Sequence, residues 1–141
     1  MPLSLHHARW TSRTLLPPAN ARRRLLVVDD YRSGAEAISD FLSLSGYDAR
    51  FVTSGAEVWG AVTAHVPEIA VLDINMPGMD GFAVAQRLRR DPRTQLIVIV
   101  AFTAQEELDV RRDGIAAGFD GYCKKHGNPG LLLDLLVQMN Q

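Results

Sequence analysis

Leu25-Leu26-Val27-Val28-Asp29-Asp30 is a short, β-rich apolar run that stops abruptly at two acids. A run of this length without polar alternation suits a strand buried on both faces, as in parallel sheets. Downstream of it, Ser33 precedes a helical stretch in which Ala37, Ile38, Phe41, Leu42 and Leu44 recur at helical spacing, and Gly46 supplies the stop. The alternation then repeats. Residues 49–52 predict a second strand and 56–64 a second helix. Residues 69–72 form another apolar run ending in an acid, Asp73, and 81–90 a third helix with Val84 and Leu88 facing inward. Residues 96–100 are the most apolar strand, 105–117 a helix ending at Gly118, and 121–123 a short fifth strand; Pro129 opens the last helix. Five strands alternating with five helices predict right-handed crossovers and a doubly wound α/β fold, a parallel five-stranded sheet with helices on both faces. In such sheets ligands gather beyond the carboxyl ends of the strands, at the topological switch point.

Upstream of Leu25 the composition changes. Residues 1–24 hold five arginines and no acid, so the other 10 of the 15 basic residues face all 16 acidic ones in the rest of the chain. An acidic body argues against a nucleic-acid surface, because duplex binding depends on neutralising phosphates. Residues 1–21, with Pro17-Pro18 and little periodicity, read as a basic, flexible N-terminal extension, and 22–141 as the folded domain. The whole chain, 141 residues with 47% hydrophobic and 22% charged, is one domain's worth of sequence. One cysteine, Cys123, excludes an intramolecular disulfide and a thiolate metal cage, which fits a cytoplasmic location. No apolar run approaches the roughly 20 residues that span a bilayer, so no membrane partner is expected.

The chemistry converges on the strand ends. Asp29 and Asp30 end the first strand, Asp73 the third and Phe102-Thr103-Ala104 the fourth, while Lys124-Lys125 follow the fifth. One such acid alone reads as a cap or a solvated residue. Three brought together repel one another and call for a cation. All-oxygen ligation without imidazole or thiol suits a hard divalent ion, Mg²⁺ in particular. Aspartate is a carboxylate nucleophile in phosphoryl transfer, where catalysis rests on a metal, a cation and hydrogen-bond donors. Asp73, a divalent ion, Thr103 and Lys125 form that set. No Walker-type glycine loop, paired-histidine metal motif or Ser-His-Asp arrangement competes with it. His6, His7 and His65 have no ligand partners at convincing spacing and read as surface residues.

These residues resemble the response-regulator receiver family, in its single-domain, chemotaxis-regulator-like form, from residue 22 to the C-terminus. LLVVDD at 25–30 resembles the first strand and its acidic pair, DINMPGMDG at 73–81 the phosphoacceptor loop, AFTA at 101–104 the switch segment, and GFDGYCKK at 118–125 the fifth strand with its lysine. Intervals of 43, 30 and 22 residues separate Asp30, Asp73, Thr103 and Lys125, as is usual in the family. The resemblance implies a flavodoxin-like (βα)5 fold with strand order 2-1-3-4-5. It implies Mg²⁺ held by Asp30 directly, by Asp29 through water, by Asp73 and by the main-chain carbonyl of Asn75. Asp73 is the implied phosphoacceptor, Thr103 and Lys125 contact the phosphoryl group, and Ala104 leaves access to it open. Thr103 and Tyr122 are the implied switch residues, coupled to the face of the fourth helix, fifth strand and fifth helix. Pro77 and Gly78 shape the loop after Asp73.

The implied phosphoryl donor is a phosphohistidine on a sensor histidine kinase or a histidine phosphotransfer protein. The implied output is binding of a downstream protein or onward phosphotransfer, by a stand-alone receiver of a two-component phosphorelay. Such a domain is not a conventional enzyme, but it catalyses its own phosphorylation and dephosphorylation. The alternative is a pseudo-receiver that serves only as a protein interaction module. An aspartate-nucleophile phosphatase would carry an acid where Asn75 stands, and a flavin protein a hydroxyl- or glycine-rich loop where Asp29-Asp30 stand. The family usually places proline after the fifth-strand lysine, whereas His126 follows Lys125, so the isomer of that bond is left open. Lys124 is the rival to Lys125, disfavoured because neighbours in a strand point to opposite faces. The last helix is apolar on more than one face, through Leu131, Leu132, Leu133, Leu135, Leu136, Val137 and Met139, which raises the expectation of a homodimer through it.

Overall fold

The computed structural model describes residues 6–125 and 128–141. In chain order the elements are β1 (His7–Arg9), β2 (Arg24–Val28), α1 (Arg32–Leu44), β3 (Asp48–Val52), α2 (Val58–Ala64), β4 (Ile69–Leu72), α3 (Gly81–Arg90), β5 (Val98–Thr103), α4 (Glu107–Ala117), β6 (Gly121–Lys124) and α5 (Gly130–Gln138). The sheet order is β1-β6-β5-β4-β2-β3. The five strands β2 to β6 are mutually parallel in the expected flavodoxin-like order, with the first expected strand (β2) between the second (β3) and the third (β4).

The unbroken apolar runs have the physical cause expected of them. β4 and β5 are buried at every position, as are four of the five residues of β2, because the sheet carries a packed layer on each face. One layer gathers Leu26, Val28, Leu72, Val84, Leu88 and Phe119, the other Leu25, Val27, Leu42, Val100, Leu132 and Leu136. Alternate residues of one strand therefore feed opposite cores. No helix among the described residues is long and apolar enough to cross a membrane.

Four expectations are corrected. The sheet has six strands rather than five, because His7–Arg9 pairs antiparallel with β6, with Ala8 opposite Tyr122. The described part of the N-terminal segment is thus not a loose extension: it covers the β6 edge, and Trp10 behind it is 9% exposed and part of the core. The strand predicted at 96–100 begins two residues later and runs on to Thr103. Arg89 holds the carbonyls of Gln95 and Ile97 at 3.0 and 2.6 Å, which keeps residues 95–97 in a turn. Finally, His65 is not a free surface residue; its ring nitrogen lies 2.9 Å from Asp48, and its side chain is mostly covered.

The broad apolar surface of α5 has a partial explanation in the same N-terminal segment. Leu132, Leu135, Leu136 and Met139 face the sheet. The N–H of Leu15 donates to the carbonyl of Met139 at 3.2 Å, and Leu15 packs on that core. Val137 remains 52% exposed.

Candidate functional site

Parallel strands present their carboxyl ends together, and the hydrogen-bond ladder carries on past the strand ends to the acids. The Asp29 N–H donates to the Val52 carbonyl at 3.2 Å, and the Asp73 N–H to the Val28 carbonyl at 2.8 Å. The side chains of Asp29, Asp30 and Asp73 consequently meet, with one oxygen from each lying within 4.8 Å of the others. Asp29 and Asp73 are buried and Asp30 is exposed.

Lys125 enters the cluster from the end of β6. Its Nζ lies 2.6 Å from Asp29 Oδ2 and 3.1 Å from Asp73 Oδ2. Its backbone N–H is held by the carbonyl of Thr103 at 2.7 Å, which fixes the segment from which the side chain reaches. Lys124 points elsewhere and pairs with Glu106. Among the described residues, three carboxylates face one ammonium, which leaves negative charge unbalanced. Burial pushes the Asp73 carboxyl above its ordinary 3.8, opposed by the Lys125 charge and by the Asn75 N–H. Lys125 is displaced upward: burial acts against its charge, but Asp29 and Asp73 together outweigh burial.

The loop after Asp73 is shaped by close packing. Gly78 has φ +75°, the left-handed turn that glycine tolerates best. A Cβ on Gly81 would lie 2.3 Å from the Asp73 carbonyl oxygen, so the start of α3 rests directly on the acceptor loop. Asp80 caps that helix, accepting from the Ala83 N–H at 2.9 Å. The Asn75 side chain and Pro77 are exposed.

Thr103 is the buried last residue of β5, and its Oγ1 accepts from the Gln105 N–H at 3.3 Å. The Gln105 carbonyl accepts from the Tyr122 hydroxyl at 2.6 Å. Thr103 and Tyr122, linked in the sequence reading only by resemblance, are therefore joined through Gln105. Tyr122 is fully buried, and burial, with help from Glu106 and Glu107, pushes its hydroxyl up to about 12. Ala104, between Thr103 and Gln105, is exposed. A cleft of about 340 Å³ opens beside the cluster, with Asp29, Tyr31, Ile38, Phe102 and Lys125 among its walls. His126, and with it the Lys125–His126 bond, lies outside the described residues.

Two features had no counterpart in the sequence reading. Asp120, buried just before β6, collects donors from Arg13, Arg89, Thr11 and the Ile99 N–H. Trp10 stacks on Tyr122 with ring centroids 5.7 Å apart. The alternation of Ala8 and Trp10 with polar neighbours was the available signal, but three residues are too few to mark a strand.

Comparison with known proteins agrees with this architecture. The family model described as the response regulator receiver domain matches residues 25–137. Among curated proteins, the DNA-binding dual master transcriptional regulator RpaA of Synechocystis is 33% identical over 102 residues, covering 72% of this chain and 42% of that protein. The response regulator MprA of a Mycobacterium species (strain KMS) is 34% identical over 116 residues, covering 82% and 48%. The chain thus spans less than half the length of these relatives. Among solved structures, the Vibrio cholerae chemotaxis protein CheY4 superposes with a TM-score of 0.80 at 27% identity, covering 84% of this chain and 99% of that one. A putative response regulator from Chloroflexus aurantiacus gives 0.77 at 29% identity, covering 84% and 98%. From its alternating core to its strand-end acids, the chain belongs to the response regulator receiver domain family of two-component systems.

Proposed function

We propose that Asp73 accepts a phosphoryl group from a phosphohistidine on a sensor kinase or a histidine phosphotransfer protein. Residues 22–141 are the receiver unit in this reading. The observation that carries it is the single ammonium of Lys125 set between Asp29 and Asp73 at the carboxyl ends of the central strands. A purely structural acid cluster gains nothing from an unbalanced charge, whereas a phosphoryl site needs cations aimed at the incoming oxygens.

The donor set fits Mg²⁺: three carboxylates within 4.8 Å of one another, two of them buried, with no histidine or cysteine in the cluster among the described residues. Asp29, Asp30, Asp73 and the Asn75 carbonyl would hold the ion, which would supply neutralisation of charge on the phosphoryl oxygens. In the transfer, a carboxylate oxygen of Asp73 attacks phosphorus and the P–N bond to the donor histidine breaks. The imidazole leaves, taking up a proton from solvent. Lys125 pairs with a phosphoryl oxygen, the Thr103 hydroxyl donates to another, and exposed Ala104 leaves the approach open. The covalent change at Asp73 then biases the Thr103–Gln105–Tyr122 connection and the α4–β6–α5 face, which is read by a downstream protein or by a second copy through α5.

The test is incubation with Mg²⁺ and acetyl phosphate, followed by intact mass measurement. Wild-type protein should gain one phosphoryl group and Asp73→Asn none. A wild type that stays unmodified, with its cognate kinase as well, would favour the reading in which the domain is a non-phosphorylated interaction module.

A further inference from the structure

We propose that residues 6–10 form a latch over the α4–β6–α5 face, closed on Tyr122 by Trp10 and loosened when Asp73 carries a phosphoryl group. This inference rests on the phosphoacceptor reading and adds to it a regulatory segment within the same chain. The segment is short, yet it touches all three elements of the face. On β6, β1 occupies the outer edge and the Lys124 N–H donates to the His6 carbonyl at 2.6 Å. On α4, the Trp10 indole N–H donates to Glu107 at 2.8 Å. On α5, the Arg9 guanidinium reaches the Gln138 carbonyl at 3.3 Å, and beyond the helix that of Gln141 at 3.2 Å.

Trp10 is the centre of the device. Its ring lies nearly parallel to that of Tyr122, at 16°. It also fills a hollow in α4 at Gly114, where a Cβ would come within 2.6 Å of the indole. Glycine inside a helix is unfavourable, and the close approach of Trp10 gives this one a reason. α4 and Tyr122 are thus held in register by one side chain that belongs to neither.

The path to the phosphoryl site is continuous. Tyr122 donates to Gln105, whose N–H donates to Thr103. A Thr103 drawn toward a phosphoryl group displaces the segment that holds the Tyr122 hydroxyl, and Tyr122 cannot move without disturbing the Trp10 stack. The anchor of the segment begins at Trp10, whose backbone N–H donates to the Asp120 carbonyl at 2.7 Å. Thr11 and Arg13 are held by Asp120 at 2.8 and 3.0 Å, at the end of β6 remote from the acids. The geometry is that of a short flap hinged at residues 10–13. A three-residue edge strand is the kind of element that opens locally, and coupling between two sites is reciprocal at equilibrium, typically about 5- to 150-fold.

The test uses the full chain with Mg²⁺ and beryllofluoride, a phosphoryl analogue, together with two variants. Trp10→Ala removes the latch side chain; Gly114→Ala leaves the segment intact and pushes the indole out from the α4 side, so loss of folding in one variant does not end the test. Saturation with beryllofluoride should speed hydrogen exchange at the amides of residues 8–10 by about 5-fold or more, and both variants should bind beryllofluoride tighter by a similar factor. Saturation with unchanged exchange and unchanged affinity in the variants would overturn the latch and leave the segment as a passive edge cover. A wild type that neither binds beryllofluoride nor gains a phosphoryl group would overturn the phosphoacceptor reading itself, and the latch with it.

Discussion

Asp73 and Asp120 are both buried aspartates next to strands of one sheet, at 7% and 2% exposure, yet they are built in opposite ways. Asp120 sits at the amino-terminal end of β6. It is fully engaged: Arg89 at 2.7 Å, Arg13 at 3.0 Å, the Thr11 hydroxyl at 2.8 Å and the Ile99 N–H at 2.9 Å. Asp73 sits beyond the carboxyl-terminal end of β4, with two other carboxylates and a single lysine that it shares with Asp29. A buried charge with every acceptor site filled is a structural joint. One left short of partners stores unfavourable energy that an incoming cation or phosphoryl group can relieve. Burial is common to both sites; the supply of donors is what distinguishes them.

The largest way to break the comparison is at Asp120. Asp120→Ala should cost about 3–5 kcal/mol in chemical denaturation, because it strands Arg89 and the Ile99 N–H in the interior. A loss below about 1 kcal/mol would mean that the network is not the joint described. Asp73→Asn should act in the opposite direction, raising stability at neutral pH by about 1 kcal/mol, or Tm by about 4 °C. The sign follows from linkage. The folded carboxyl titrates above its unfolded value, so the native state holds the proton longer and stability falls as pH rises through that window. The gain in the variant should therefore shrink as pH is lowered through and below 3.8, where wild-type Asp73 is protonated in both states.

The smallest effect sharpens the same point. Cys123 is buried, and burial alone pushes its thiol up to about 12. It should react with a maleimide at pH 8 at least about tenfold more slowly in the folded than in the unfolded chain. Because the folded value exceeds the ordinary 9.0, its contribution should lower stability as pH rises above 9.0. Native-state labelling as fast as that of the unfolded chain would show that burial in β6 does not shield the thiol.

How much could be read in advance differs along the chain. β4 came out of the sequence with its limits unchanged, because a short apolar run bounded by Glu68 and Asp73 admits one register in a two-sided core. The start of β5 was placed two residues early. Leu96 and Ile97 look like strand residues by type, but the Ile97 N–H turns back to the Thr94 carbonyl and Arg89 reaches from α3 to the carbonyls of Gln95 and Ile97. The strand-end acids and Lys125 were legible because their chemistry is local to each motif. Asp120 was not, because its four donors come from Thr11, Arg13, Arg89 and Ile99, far apart in the chain.

The sequence by itself determined which strands are buried, that they run parallel, and that Asp29, Asp30, Asp73, Thr103 and Lys125 lie at their carboxyl ends. These follow from hydrophobic period and from the handedness of βαβ crossovers, both properties of short stretches. Only the tertiary structure decided that residues 6–16 belong to the fold, that Trp10 rests on Tyr122 and that Lys125 is shared between two acids. A strand of three residues has too little pattern to announce itself, and its stability comes from the edge it meets. That edge, β6, lies more than a hundred residues further along the chain.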